Sequence, residues 1–227
     1  MYAASEYEVL ARGITISQNQ ARVAARRIAD AHLNGYCFVE NRDYRDALKL
    51  PFRFDKAASI GMFEHVGLKG LRRYFRIVYD LLNPGGMFLN SGIVRSPASP
   101  NRRQSFIDRY VFPDGELPTL SLALEKAERA GFEVRDVENL REHYAHTLRL
   151  WVKNLQEQRV QLLQTVSERT FRTWLLYMVG SAVAFERSDI SVCQILLRRP
   201  DSSRRSALRT REEWDTDRKG PSASRAA

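Results

Sequence analysis

The chain has 227 residues, 44% of them hydrophobic, which suffices for one sizeable domain with a packed core. Its 36 Lys and Arg against 27 Asp and Glu leave a net charge of +9, suited to nucleic acid or to an anionic surface such as a phospholipid headgroup layer. No run reaches the ~20 apolar residues of a membrane span, and no signal-peptide pattern is read, so the cytoplasm is the expected compartment. No helix-turn-helix spacing, zinc-finger pattern or aromatic-interleaved basic strand accompanies the charge, so nucleic acid is not expected as a partner.

Residues 9–15 and 36–40 are short apolar runs with a helical stretch, 18–31, between them. Residues 54–62 form a third strand candidate. The spacing of Leu71, Phe75, Val78, Tyr79 and Leu82 predicts a helix over 70–82, stopped by Asn83-Pro84-Gly85-Gly86. Residues 87–94 read as the next strand, 120–130 as a helix ending at Gly131, and 132–137 as extended again. This alternation predicts an α/β fold with a parallel sheet and crossover helices. Residues 95–118, rich in proline, read as an insertion over the sheet edge. Residues 144–185 read as two long helices broken near Ser167, and 190–197 as a strand that returns to the sheet. The polar residues 201–227 are expected to be a disordered tail, which leaves 1–200 as the folded domain. Cys37 and Cys193 fall in apolar runs without metal-ligand spacing and are expected to be buried, reduced thiols.

Charge beside an apolar run is costly unless it is used, which makes the Glu64-His65 pair in SIGMFEHVG the first candidate for chemistry. Ser17 precedes a helix, where it suits an N-cap, although hydroxyls and amides after a strand also suit a ribose. Asp43-Tyr44 suits a surface turn. His143 and His146 stand at i, i+3 but lack the carboxylates or cysteines that would complete a metal site.

SIGMFEHVG, NPGGMFLN, FIDRYVFPDGELP, LREHYAHTLRLWVKNL and YMVGSAVAF, in this order and spacing, resemble the cyclopropane-fatty-acid synthase family over residues 4–199. The resemblance implies a Rossmann-like methyltransferase fold. It also implies transfer of a methyl or methylene group from S-adenosylmethionine to the double bond of an unsaturated phospholipid acyl chain. A bicarbonate ion would assist, the protein would visit the inner membrane surface transiently, and a homodimer is compatible with it. Carried over by position, Thr15, Ile16, Ser17, Gln18, Asn19 and Gln20 would lie along the adenosine, and Asp43 and Tyr44 against the adenine. Glu64 and Tyr144 would hold the bicarbonate. Ser91 stands where many members have histidine, and Ser181 where many have cysteine. Serine cannot relay a proton as histidine does, so the change at 91 removes a ligand. His65 would donate to the anion or turn back to the backbone.

The resemblance implies that the family's first strand and its glycine-rich cofactor turn are absent; no Gly-x-Gly pattern occurs in the chain. Weak cofactor binding and impaired turnover are the expectation, with a lipid- or partner-binding chain without chemistry as the alternative. Leu148, Trp151, Leu155, Leu175 and Met178 would either line an acyl tunnel or pack as ordinary core. Arg72, Arg73 and Arg76 would face headgroups or be a solvated helix face.

Overall fold

A computed structural model of the chain describes residues 1–99, 106–113 and 115–201; the tail expected beyond residue 201 lies outside the described residues. A short helix α1 (Tyr2–Tyr7) precedes β1 (Ala11–Thr15), α2 (Gln18–Asp30) and β2 (Cys37–Asn41). Ala4 of α1, Ile28 of α2 and Cys37 of β2 make a small core of their own. The strands β1 and β2 pair in parallel as a separate two-stranded ladder.

The larger ladder starts at β3 (Phe54–Ile60), reached through a 3-10 turn at Tyr44–Lys49. It continues through α3 (Leu71–Leu81), β4 (Leu82–Arg95), α4 (Phe106–Tyr110), α5 (Leu120–Arg129) and β5 (Glu133–Asn139). The chain closes with α6 (Arg141–Glu157), α7 (Arg159–Leu162), α8 (Glu168–Glu186) and β6 (Ile190–Arg198). The strand order is β3-β4-β6-β5. Residues 83–86 do not simply end a helix. Leu82 already pairs with Phe54, the ladder resumes at Lys56–Met87, and the Asn-Pro-Gly-Gly segment bulges between them, with Gly85 at φ 82°.

The expected parallel pairing is found for β1–β2 and β3–β4, while β6 runs antiparallel to both β4 and β5. The reason lies in the connection. A single crossover helix brings the chain back so that the next strand repeats the direction of the last, whereas the α6–α8 pair reverses it twice and the next strand must run the other way. The predicted break near Ser167 is where α8 starts, with Ser167 Oγ accepting from Thr170 N at 3.1 Å, and the short α7 fills the connection.

The main core sits between the sheet and α3–α5. Leu71, Tyr74, Phe75 and Val78 of α3 meet Phe88 and Val94 of β4 and Ile195 and Leu197 of β6. Ala123 and Ala127, both 0% exposed, let α5 approach α3 closely. On the opposite face, α6 and α8 cover the end of β4 through Leu148, Ala182, Phe185, Val192 and Ile93. Cys37 and Cys193 are buried and unpaired, as expected, and burial raises the Cys193 pKa. The edge strands are β1 and β2 in the smaller ladder and β3 and β5 in the larger one. Ile60 on β3 is 73% exposed.

Candidate active site

The loop after β3 is set by two glycines. Gly61 and Gly67 take φ of 64° and 76°, a left-handed conformation that other residues adopt at a cost. Between them Phe63–His65 forms one 3-10 turn that drives Phe63 and Glu64 inward, to 1% and 6% exposure. Glu64 Oε1 accepts from Ile93 N at 2.7 Å. Glu64 Oε2 is buried with no hydrogen-bond partner among the described residues. Burial raises the Glu64 pKa, against the pull of the Ile93 amide, of its own backbone amide and of the His65 charge. Gly92 makes room for this arrangement, since a Cβ there would stand 2.8 Å from Glu64 Oε1.

Other polar groups gather around the end of β4. Ser91 and Ser181 are buried, at 5% and 6% exposure. Tyr144 on α6 packs its ring against Phe185, centroids 5.7 Å apart, in the cluster that also holds Ile93. Ile93, whose amide holds Glu64, and Tyr144 both pack against this buried cluster. Tyr177, one turn before Ser181 on α8, was not singled out from the sequence. Burial raises its pKa, the Ser181 hydroxyl beside it lowers it, and the Glu64 charge raises it further. Beyond it runs an aromatic row: Trp174 to Tyr177 at 5.6 Å, Tyr177 to Phe112 at 5.7 Å and Phe112 to His65 at 5.6 Å. His65 is exposed and faces this row; no bond from its ring to Glu64 is formed.

Glu116, near the end of the segment read as an insertion, ties to this loop. Glu116 N donates to Glu64 O at 3.0 Å, and Glu116 Oε2 accepts from Leu68 N at 2.8 Å. Behind Glu64, Tyr74 Oη donates to Asn90 Oδ1 at 2.7 Å inside the core. Asn90 Nδ2 and the neighbouring Ser59 Oγ are also buried without partners among the described residues. Polar atoms in such a place ordinarily find a partner.

The remaining predicted residues lie at the C-terminal ends of β1 and β2. Thr15 Oγ1 donates to Gln20 Oε1 at 2.7 Å and accepts from Ser17 N at 3.1 Å, while Ser17 Oγ caps α2 by accepting from Gln20 N. Ile16 is 78% exposed, and Gln18 and Asn19 are exposed beside it. Asn19 and Gln20 border a groove of ≈ 710 Å³ between α2 and the β1–β2 ladder. Asp43 accepts from Arg45 N and from its guanidinium, and these bonds lower its pKa to about 2. Tyr44 sets its ring edge-on to Tyr74, centroids 5.8 Å apart, which links this end to Asn90 and the Glu64 loop. Of the tunnel candidates, Leu148 and Met178 belong to the α6–α8 core, Leu155 and Leu175 are half-buried and Trp151 is 50% exposed. His143 and His146 are exposed, and no metal-binding cluster occurs among the described residues.

The sequence profile of the mycolic acid cyclopropane synthetase family matches residues 1–195. The chain belongs to this family. It is 42% identical over 203 residues to a probable fatty acid methyltransferase from Pseudomonas putida, covering 88% of this chain and 51% of that protein. It is 33% identical over 198 residues to the cyclopropane-fatty-acyl-phospholipid synthase of Escherichia coli K12, covering 87% and 50%. The chain thus spans about half the length of these curated relatives. Among solved structures, the mycolic acid cyclopropane synthase CmaA1 complexed with SAH and CTAB superposes with a TM-score of 0.80 at 29% identity, over 87% of this chain and 73% of that one. The mixed α/β architecture is that of such methyltransferases.

Proposed function

We propose that this chain carries the methyl-acceptor side of a lipid methyltransferase, which moves a methyl or methylene group from S-adenosylmethionine to the double bond of an unsaturated phospholipid acyl chain. The observation that carries this reading is Glu64: a buried carboxyl with one oxygen held by the Ile93 amide and the other without a hydrogen-bond partner among the described residues. An alkene is a weak nucleophile, and its methylation leaves a carbocation that a nearby negative charge stabilises in a dry site. Ring closure then needs removal of one proton from the new methyl group.

Bicarbonate fits the residues present. The orphaned Glu64 Oε2, on a carboxyl whose pKa burial raises, is suited to share one proton with a second oxyanion, and Tyr144 would supply a hydroxyl donor. When bound, bicarbonate would supply the base for that proton. Glu64 would hold it, Tyr144 would orient it, and the Tyr177–Ser181 pair and Phe112 would keep water away.

The nucleoside half of S-adenosylmethionine, which supplies the methyl group when bound, fits the exposed polar residues after β1 and β2. Thr15, Ile16, Ser17, Gln18, Asn19 and Gln20 would flank the ribose, and Asp43 and Tyr44 the adenine. The acceptor chain would be presented at a membrane surface. A second reading, a methyltransferase-fold chain that binds lipid without turnover, is favoured by the sheet's division into two ladders.

Radiolabelled methyl transfer to vesicles of unsaturated phospholipid, with calorimetric titration of S-adenosylmethionine, separates the two. Transfer that disappears in Glu64→Gln supports the first. Undetectable transfer and undetectable cofactor heat with retained vesicle binding support the second.

A further inference from the structure

A second feature of α3 points outward. A groove of ≈ 370 Å³ runs between this helix and the turn at Tyr44–Lys49, walled by Lys69, Arg72, Arg73, Arg76 and Asp80 over an apolar floor of Leu48 and Ile77. The spacing of 69, 72, 73 and 76 puts four exposed cations on one stripe of the helix and the residue before it, while Leu71, Tyr74 and Phe75 point into the core. Three acids border the region, and each holds a cation of its own. Asp80 pairs with Arg76 at 2.8 Å, Asp43 with Arg45 at 2.6 Å and Asp46 with Lys49 at 2.7 Å. Lys69, Arg72 and Arg73 form no ion pair among the described residues. Neighbouring like charges on a helix repel, and an anion set between them removes that penalty. The apolar floor beneath the cations suits an anion with carbon attached rather than a bare ion.

We propose that the groove between α3 and the 44–49 turn binds the phosphodiester of an anionic phospholipid headgroup and docks the chain on a membrane surface. The choice of a lipid as carrier of the phosphate rests on the acyl-chain reading above; the charge balance of the groove does not.

The test is co-sedimentation with phosphatidylcholine vesicles, with and without phosphatidylglycerol, at about 0.1 M salt, where exposed charges beyond ~10 Å are screened. S-adenosylmethionine is left out, so binding is read apart from turnover. The triple variant Lys69→Ala, Arg72→Ala, Arg73→Ala is compared with Arg26→Ala, Arg172→Ala, Arg187→Ala, which removes the same charge from exposed positions on α2 and at α8. At roughly fivefold per cation near an anionic surface, the groove variant loses on the order of 100-fold in affinity for the phosphatidylglycerol vesicles. The control variant loses less than about tenfold on the same scale. Equal losses in the two variants overturn the groove and leave only net charge. Calorimetric binding of inorganic phosphate or glycerol phosphate by a protein that ignores the vesicles overturns the lipid assignment. Circular dichroism checks that both variants fold, and Arg72→Glu alone serves if the triple variant does not. Groove-dependent vesicle binding without any methyl transfer supports the groove and counts only against the acyl-chain chemistry.

Discussion

Replacing Gly92 by alanine strikes the contact on which the Glu64 geometry depends. The new Cβ would stand 2.2 Å from Phe63 Cε1, 2.6 Å from Phe63 Cδ1 and 2.8 Å from Glu64 Oε1. Carbon atoms pack at about 3.5–4.0 Å, so the ring must retreat by more than about 1 Å. Phe63 is 1% exposed and packed in the main core, which leaves it no free space to enter. Overpacking of this kind costs about 1–3 kcal/mol. Displacing the Glu64 carboxyl from the Ile93 amide adds about 1–3 kcal/mol, because a buried oxygen then loses that donor. A total of about 2–6 kcal/mol lowers Tm by roughly 4–24 °C in a domain of this size. Urea unfolding of Gly92→Ala, Phe63→Leu and the double variant measures it, since the smaller side chain relieves the clash. We expect a favourable coupling of at least about 1 kcal/mol between the two sites. A Gly92→Ala protein within about 0.5 kcal/mol of the parent, with no coupling to position 63, would refute the packing of this loop on β4.

The other predictions concern charge and hydroxyl groups. Glu64→Gln keeps an acceptor for Ile93 N but removes the carboxyl, so methyl transfer is lost while folding persists. Its pH dependence has a definite sign. A carboxyl raised above its ordinary 4.5 penalises the folded state once it ionises, so the parent loses stability relative to Glu64→Gln as pH rises through the folded pKa, and the two converge below 4.5. Urea midpoints across that range check it, and parallel curves would contradict it. Asp43 is lowered from 3.8 to about 2, so its support of the 44–49 turn is present above 3.8 and fades as pH falls toward about 2. Asp43→Ala should cost about 0.5–2 kcal/mol at neutral pH, read by thermal unfolding. Tyr177→Phe removes the hydroxyl beside Ser181 at a cost of about 1 kcal/mol in stability. It should lower the rate of methyl transfer more than it raises the KM for lipid, and an unchanged rate would take Tyr177 out of the site.

The order of elements was legible because hydrophobic period and glycine placement act over a few neighbouring residues. The α3 stripe of Leu71, Phe75 and Val78, the stop at Gly131 and the cap at Ser167 each follow from local backbone and burial rules, and each is where the pattern placed it. Glu64 was legible for the same reason: a charge following an apolar run between two glycines has few bland explanations. Tyr177 was not, because a tyrosine four residues before a serine in an apolar helix reads as core until the Glu64 loop is known to lie beside it.

The pairing of strands needed the whole molecule. The two helices before residues 190–198 are legible in the sequence, but that β6 lies between β4 and β5 and pairs antiparallel with both is not. The orphaned polar atoms of Glu64, Asn90 and Ser59 and the unpaired cations of the α3 groove are likewise properties of distant segments meeting. Sequence by itself determined which residues carry charge, cap helices and turn the chain. The tertiary structure decided which of those charges have partners, because burial and pairing depend on distances between residues far apart along the chain.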